Sequence, residues 1–234
     1  MPVSPRAFLA RLRHNISALA LSHLPEKNRH ELLYWRSTKR KEGDLSNAHY
    51  QHFYTTLFGL TADSYRGLRV LDVGCGPRGS LEWATEALER VGIDSLVPEY
   101  LKLGADKHKM TYVHASAERI PFADGHFDIV CSFNSLDHVD RLDDSLAEIH
   151  RVLKSGGLFL LIVEANHEAT ETEPISIPWD IRQVLGNRFD ILTSSRYEIG
   201  DHNVYGQIRK NMEFNENDPS DREGILCSKL KRIP

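Results

Sequence analysis

The sequence predicts an α/β protein built on a mostly parallel sheet with helices on both faces. Three observations carry that prediction. From residue 67 to residue 210, short apolar segments alternate with segments of helical period. Residues 70–80, VLDVGCGPRGS, join an apolar strand to a glycine-rich turn. The ladder then ends in two apolar segments separated by the polar link 198–203, which suits an antiparallel hairpin rather than a crossover.

The elements follow in order. Residues 1–66 read as a helical extension, with helices over 7–24, 27–41 and 47–60 broken at Pro25 and Gly43. The aromatic residues Tyr34, Trp35, Tyr50, Phe53 and Tyr54 make this part a candidate lid. Residues 67–210 hold the sheet. Strands are expected near 69–73, 90–94, 111–114, 127–132, 157–164, 189–195 and 203–210, with helices near 80–89, 98–105, 143–153 and 178–186. The helix over Ser80–Arg90 rests on Leu81, Ala84 and Leu88. Residues 211–234 are polar and are expected to pack loosely or not at all.

Composition narrows the function. The chain has 234 residues, 41% hydrophobic and 26% charged, as in ordinary globular proteins. A net charge of −4 gives no global field that would draw nucleic acid, and Arg36, Lys39, Arg40 and Lys41 read as a solvated helix end. Three cysteines without metal-like spacing are expected to be reduced thiols of a cytoplasmic protein. No secretory leader or membrane span is expected, since the longest strongly apolar run is Leu158–Val163. Oligomeric state is left open.

The turn after the first strand carries the chemistry. Its glycines let backbone and ligand approach closely, and the expected helix N-terminus adds free N–H groups. The spacing G-x-G-x-x-G fits a dinucleotide fingerprint as well. Asp72 separates the candidates. A carboxylate at the strand end repels a pyrophosphate but suits the ammonium and sulfonium groups of S-adenosylmethionine. An acidic residue followed by G-x-G resembles the first motif of the class I S-adenosylmethionine-dependent methyltransferases. That resemblance implies a Rossmann-like three-layer sandwich, with a seven-stranded sheet parallel except for its terminal strand.

Further segments support the resemblance over residues 68–165. Asp94 ends the second strand, where an acidic residue can accept both ribose hydroxyls. HASAERIPFADGHFDIVCSFNSLDHV, residues 114–139, resembles the family's A-E-x-x-P-F…F-D-x-V segment, and RVLKSGGLFLLIVE, residues 151–164, resembles its fifth-strand approach. GCGPRGSLEWA preceded by a helical E-L-x-Y-W is similar to a group of small bacterial methyltransferases. The cofactor residues implied are Asp72, Gly74, Cys75, Gly76, Asp94, Ser95, Ser116, Ala117 and Asn134. Many relatives place Asp where Ser116 stands, so the adenine amino group falls to Ser116 or Glu118.

The acceptor side is read by position at the strand ends. His138, after the fourth strand, is the expected general base, with Asp137 beside it. Trp35, Tyr50, Glu164 and His167 are expected to meet a small-molecule acceptor, and 168–178 to form a gate or a surface loop. His202 is a further candidate. No metal is expected, because no paired spacing marks a site and Glu164 with His167 lacks a third ligand. The reading is methylation of a small molecule at oxygen or nitrogen. A nicotinamide-dependent oxidoreductase and a non-catalytic cofactor-binding module are the alternatives.

Overall fold

In the computed structural model, residues 21, 24–47, 49–200, 203–217 and 222–234 are described. Seven strands form one sheet: β1 Arg69–Val73, β2 Glu89–Asp94, β3 Thr111–His114, β4 Phe127–Phe133, β5 Leu153–Ala165, β6 Phe189–Tyr197 and β7 Gly224–Arg232. Their order is β3-β2-β1-β4-β5-β7-β6. The pairs from β3 through β5 are parallel, while β7 runs antiparallel to both β5 and β6. The helices are α1 Glu26–Glu42, α2 Gln51–Tyr54, α3 Val97–Lys102, α4 Leu142–Val152, α5 Arg182–Leu185 and α6 Val204–Arg209.

Side-chain alternation along the strands divides the core into two layers. Leu71, Val130, Phe159 and Leu161 face one cluster with Leu146, Ile149 and Val152 of α4. Val70, Ile129, Cys131 and Leu160 face the other, with Phe53 and Tyr54 of α2 and Val204 and Ile208 of α6. A third cluster packs Leu32 and Trp35 of α1 against Leu96 and Tyr100. Each layer therefore ties a connection segment to the sheet, and α1 is held over the carboxyl ends of β1 and β2. No described helix is long and apolar enough to cross a membrane.

Several expectations are corrected. Residues 203–210 are not a strand but carry α6, which Asn203 caps by accepting a hydrogen bond from the Gly206 N–H at 2.9 Å. The last strand lies in the supposed loose tail. Its run Ile225, Leu226, Cys227 and Leu230 is buried between β5 and β6. The polar stretch before it hid that run, and 198–223 is the connection rather than a hairpin turn. The helix expected over 80–89 is replaced by turns. Glu82, Ala84 and Ala87 N–H groups bond three residues back, and Leu88 N–H bonds to the Leu68 carbonyl at 2.8 Å, drawing the segment into β2. Leu81 and Ala84 are buried as their spacing required, but Leu88 is 67% exposed.

The helix expected over 47–60 is also shorter. It stops at Tyr54, because Thr55 leaves helical geometry (φ −118°, ψ −90°), and a 3₁₀ turn Thr56–Phe58 follows. The helix expected over 178–186 contracts to α5. The helix expected over 7–24 falls almost wholly outside the described residues.

Candidate active site at the strand ends

The carboxyl ends of β1, β2, β4 and β5 open into one cavity of about 930 Å³. That lies at the upper end of the ~300–1,000 Å³ range of small-molecule sites. Its floor is the turn after β1. Gly74 has φ +74°, and a Cβ there would fall 2.3 Å from the Ser135 Cβ. Ser135 in turn bonds the Val73 carbonyl at 2.8 Å, so the ends of β1 and β4 close on each other only across a glycine. Gly76 has φ +56° and lies under Trp35, whose Cζ2 would meet a Cβ at 3.3 Å.

Asp72 is 2% exposed. Tyr54 donates its hydroxyl to Asp72 Oδ2 at 3.0 Å, and Ser80 donates to the same oxygen. Burial outweighs both bonds and pushes the carboxyl up to about 7, with nearby Asp94 adding to the rise. Asp94 is half-buried and accepts from Gly76 N–H at 3.3 Å and Leu96 N–H at 2.9 Å. Burial raises it to about 6, with Glu31 adding to the rise. Cys75 offers the cavity backbone rather than thiol, because its Sγ fills the space a Cβ on Gly92 would need.

α1 roofs this floor. Asn28 donates to Ser95 Oγ at 3.2 Å, and Lys27 bonds the His138 carbonyl at 3.0 Å and Asp140 at 2.5 Å. Trp35 Nε1 donates to Glu31 at 2.5 Å. Arg78 pairs with Glu42 through two bonds of 2.8 and 2.7 Å and stacks over the Trp35 ring. The roof is thus joined both to the glycine turn and to the segment after β4.

The far end of the cavity is aromatic and titratable. Tyr50 and Tyr205 lie 5.7 Å apart between ring centres, and Tyr34, His138, Glu164, Glu173 and Arg209 share the wall. Asn134 sits at φ +53° with its side-chain oxygen buried and without a hydrogen-bond partner. His138 Nε2 stands 3.8 Å from Asp137 Oδ1 and 3.9 Å from Glu173 Oε1. Asp137 is fully buried, and neither carboxylate oxygen has a hydrogen-bond partner.

Of the residues singled out from the sequence, Asp72, Gly74, Cys75, Gly76, Asp94, Ser95, Ser116, Ala117 and Asn134 line this cavity, as do Trp35, Tyr50, Glu164 and His138. His167 does not. It is 6% exposed and sits behind the wall, because 166–177 folds back through Asn166 N–H to Ile177 O and Ile175 N–H to Asp137 O. Ser116 and Glu118 both line the cavity, and Glu118 Oε1 accepts from Asp140 N–H at 2.9 Å and Arg141 N–H at 3.3 Å. His202 lies outside the described residues.

Sequence reasoning missed Ser80, Glu31, Tyr205 and Glu173, and missed Tyr54 as a partner of Asp72. Only Ser80 carried a signal, at the end of the glycine motif. The expectation of no metal rested on spacing along the chain. The fold brings Asp137, His138 and Glu173, which are far from any metal motif in sequence, within 4.8 Å of one another.

Comparison with known proteins agrees with this geometry. Residues 71–161 match the family model described as a methyltransferase domain. The malonyl-[acyl-carrier protein] O-methyltransferase of Enterobacter lignolyticus is 37% identical over 97 residues, covering 40% of this chain and 38% of that protein. The ubiquinone/menaquinone biosynthesis C-methyltransferase of Azotobacter vinelandii is 34% identical over 108 residues, covering 42% of each. The chain thus spans under half the length of these curated relatives. An S-adenosylmethionine-dependent methyltransferase from Mesorhizobium loti shares the fold with a TM-score of 0.55 at 18% identity, over 74% of this chain and 98% of that one. Phosphoethanolamine N-methyltransferase 2 of Haemonchus contortus, solved with S-adenosyl-L-methionine, gives 0.57 at 17% identity, over 76% of this chain and 50% of that one. Residues 71–161 thus match a methyltransferase domain, on a fold shared with solved S-adenosylmethionine-dependent methyltransferases.

Proposed function

We propose that this protein transfers a methyl group from S-adenosylmethionine to an oxygen or nitrogen of a small-molecule acceptor. The observation that carries the reading is the continuity of the cavity. One space runs from the Asp72–Gly76 floor to a wall holding Tyr50, Tyr205 and His138.

S-adenosylmethionine supplies a methyl group on a sulfonium, a good leaving group that needs alignment more than activation. The floor fits such a ligand. Asp72 favours a positive amino-acid end, Asp94 has lone pairs beyond its two backbone bonds for ribose hydroxyls, and Asn134 offers an unpartnered acceptor. Ser95, Ser116 and Ala117 border the nucleoside side. α1, with Trp35 over Gly76, covers the ligand and excludes water. Tyr50 and Glu164 meet the acceptor. Holding the reactants in line can supply roughly 7–11 kcal/mol.

An acceptor hydroxyl or ammonium must also lose a proton. His138 is the titratable side chain on the wall with carboxylates behind and beside it, and the cluster around it receives that proton. Oxygen and nitrogen acceptors are favoured over carbon because a positioned proton acceptor serves them directly. The net charge of −4 favours a small acceptor over nucleic acid, and three free, buried cysteines fit a reducing cytoplasm.

Calorimetry with S-adenosylmethionine tests the cofactor half. A panel of hydroxylated and amino acceptors, scored by S-adenosylhomocysteine release and by the position of a ¹³C-methyl label, tests the acceptor half. Binding of a nicotinamide dinucleotide in preference to S-adenosylmethionine, or a label found on carbon, would overturn the corresponding half.

A further inference from the structure

We propose that Asp137, His138 and Glu173 form a divalent-cation site at the end of β4. The inference deepens the acceptor half of the methyl-transfer reading and rests on it only for its effect on rate.

Three independent features converge there. First, the donors are grouped as a metal requires. One imidazole nitrogen and two carboxylate oxygens lie within 4.8 Å of one another, with separations from His138 Nε2 of 3.8 and 3.9 Å. Metal–ligand bonds of about 2.0–2.2 Å imply donor separations of roughly 3.0–3.6 Å, so the two pairs involving His138 need a contraction of a few tenths of an ångström and the two carboxylates, within 4.8 Å, need up to about 1 Å.

Second, Asp137 has nothing else to do. It is 0% exposed, both oxygens lack a hydrogen-bond partner, and the backbone places it behind the cavity wall, out of reach of an acceptor molecule. A buried carboxylate in that state is costly unless it meets a cation or takes a proton.

Third, His167 is prepared as a ligand. Its Nδ1 lies 2.8 Å from the Glu168 carbonyl, which can only accept, so the proton sits on Nδ1 and Nε2 carries the lone pair. That Nε2 is buried without a partner, in a residue 6% exposed. Metal-binding histidines are commonly oriented by such a bond from the opposite nitrogen.

The loop supports the same placement. Glu173 N–H bonds Thr170 Oγ1 at 2.9 Å, Thr170 N–H bonds the Glu173 carbonyl at 2.9 Å, and Ile175 N–H bonds the Asp137 carbonyl at 3.2 Å. These bonds carry Glu173 from a distant stretch of chain to His138. Mixed imidazole and carboxylate donors suit first-row divalent ions such as Mn²⁺, Fe²⁺ or Zn²⁺ better than Mg²⁺. A cation held there fixes the 166–177 loop against β4 and presents a positive charge to an acceptor oxygen or nitrogen. With Nε2 on the cation, His138 acts as a ligand in place of a base, and the acceptor's proton, acidified by that charge, leaves to solvent water.

The test uses full-length protein stripped with chelator and titrated calorimetrically with Mn²⁺, with Zn²⁺ and Mg²⁺ as comparisons. We expect one Mn²⁺ per chain, bound with S-adenosylmethionine absent, and a change in the Mn²⁺ paramagnetic resonance spectrum. Asp137→Asn and Glu173→Gln, close in shape to the originals, should each weaken binding at least tenfold. Both variants should keep the affinity for S-adenosylmethionine of the unaltered protein. Equal Mn²⁺ binding by the unaltered protein and the double variant would overturn the site, as would an infrared band of a protonated Asp137 carboxylic acid that persists in saturating Mn²⁺. Failure to bind metal with intact S-adenosylmethionine binding sinks this inference alone. Metal binding without S-adenosylmethionine binding sinks the functional reading and leaves the site.

Discussion

The two halves of the cavity are finished to different degrees. In the cofactor half every carboxylate is already partnered: Asp72 by Tyr54 and Ser80, Asp94 by the Gly76 and Leu96 N–H groups. Around the acceptor half the buried Asp137 carboxylate and His167 Nε2 have no hydrogen-bond partner. A pre-formed half needs little reorganisation to receive a ligand, whereas a half with orphaned polar groups gains most when something fills it. On the proposed reading the difference separates recognition at the floor from chemistry at the wall, and that separation is open to attack from either side.

The largest effect is expected at the wall. His138→Ala should lower turnover by about 10²-fold or more while leaving cofactor affinity within about twofold. Steady-state kinetics and calorimetry on the same preparation check this. A loss of cofactor affinity as large as the loss of rate would erase the division between the halves.

Next comes the floor. Asp94→Ala removes the acceptor for two ribose hydroxyls, each bond to a charged group being worth about 1.5–3 kcal/mol. Cofactor affinity should fall tenfold or more, with the fold preserved by circular dichroism. Unchanged affinity would show that Asp94 serves only its backbone partners Gly76 and Leu96.

The roof should matter less than either. Trp35→Ala uncovers Gly76 and removes the ring beneath Arg78. A loss of roughly 1 kcal/mol, typical of one aromatic contact, corresponds to about fivefold in cofactor affinity. Trp35→Phe should recover most of it. If Trp35→Ala and Tyr50→Ala both leave affinity and turnover alone, these rings are packing only.

Local signals made the floor legible from the sequence, and their absence hid the wall. Asp72, Gly74, Gly76 and Asp94 are set by strand, turn and strand in sequence order, so spacing finds them. Glu173 reaches His138 through backbone bonds of a loop, and no local pattern announces such a fold-back. The sheet shows the same contrast. β1, β4 and β5 read directly as apolar runs. β7 was hidden because Ile225–Leu230 follows a polar connection, and only its insertion between β5 and β6 explains why it is buried. The segment after the glycine turn misled in the opposite way. Leu81 and Ala84 have helical spacing, but Ser80 is drawn to Asp72 and the chain closes tight turns instead.

The smallest expected effect concerns protons, and it separates a charged floor from a merely polar one. Asp72 sits near pH 7 because it is buried, with Asp94 as a like charge nearby and only Tyr54 and Ser80 as hydrogen-bond donors. Its folded value lies above the ordinary carboxylate range. The protein therefore holds an extra proton between about pH 4 and pH 7, and that contribution to stability is lost as pH rises through about 7. A ligand with a positive amino-acid end prefers the ionised form and should drive that proton off. For a group near 7, affinity should weaken about threefold between pH 7.5 and 6.5. Binding at pH 7 should release roughly half a proton, seen as a dependence of calorimetric heat on buffer ionisation enthalpy. The thermal shift produced by S-adenosylmethionine should also grow with pH while the ligand-free melting temperature falls. In Asp72→Asn the proton release attributable to this group should vanish. A release that survives the substitution would move the linkage to Asp94, the other carboxyl of the floor raised by burial, to about 6. No release in the unaltered protein would mean that Asp72 is not the group that meets the ligand's positive charge.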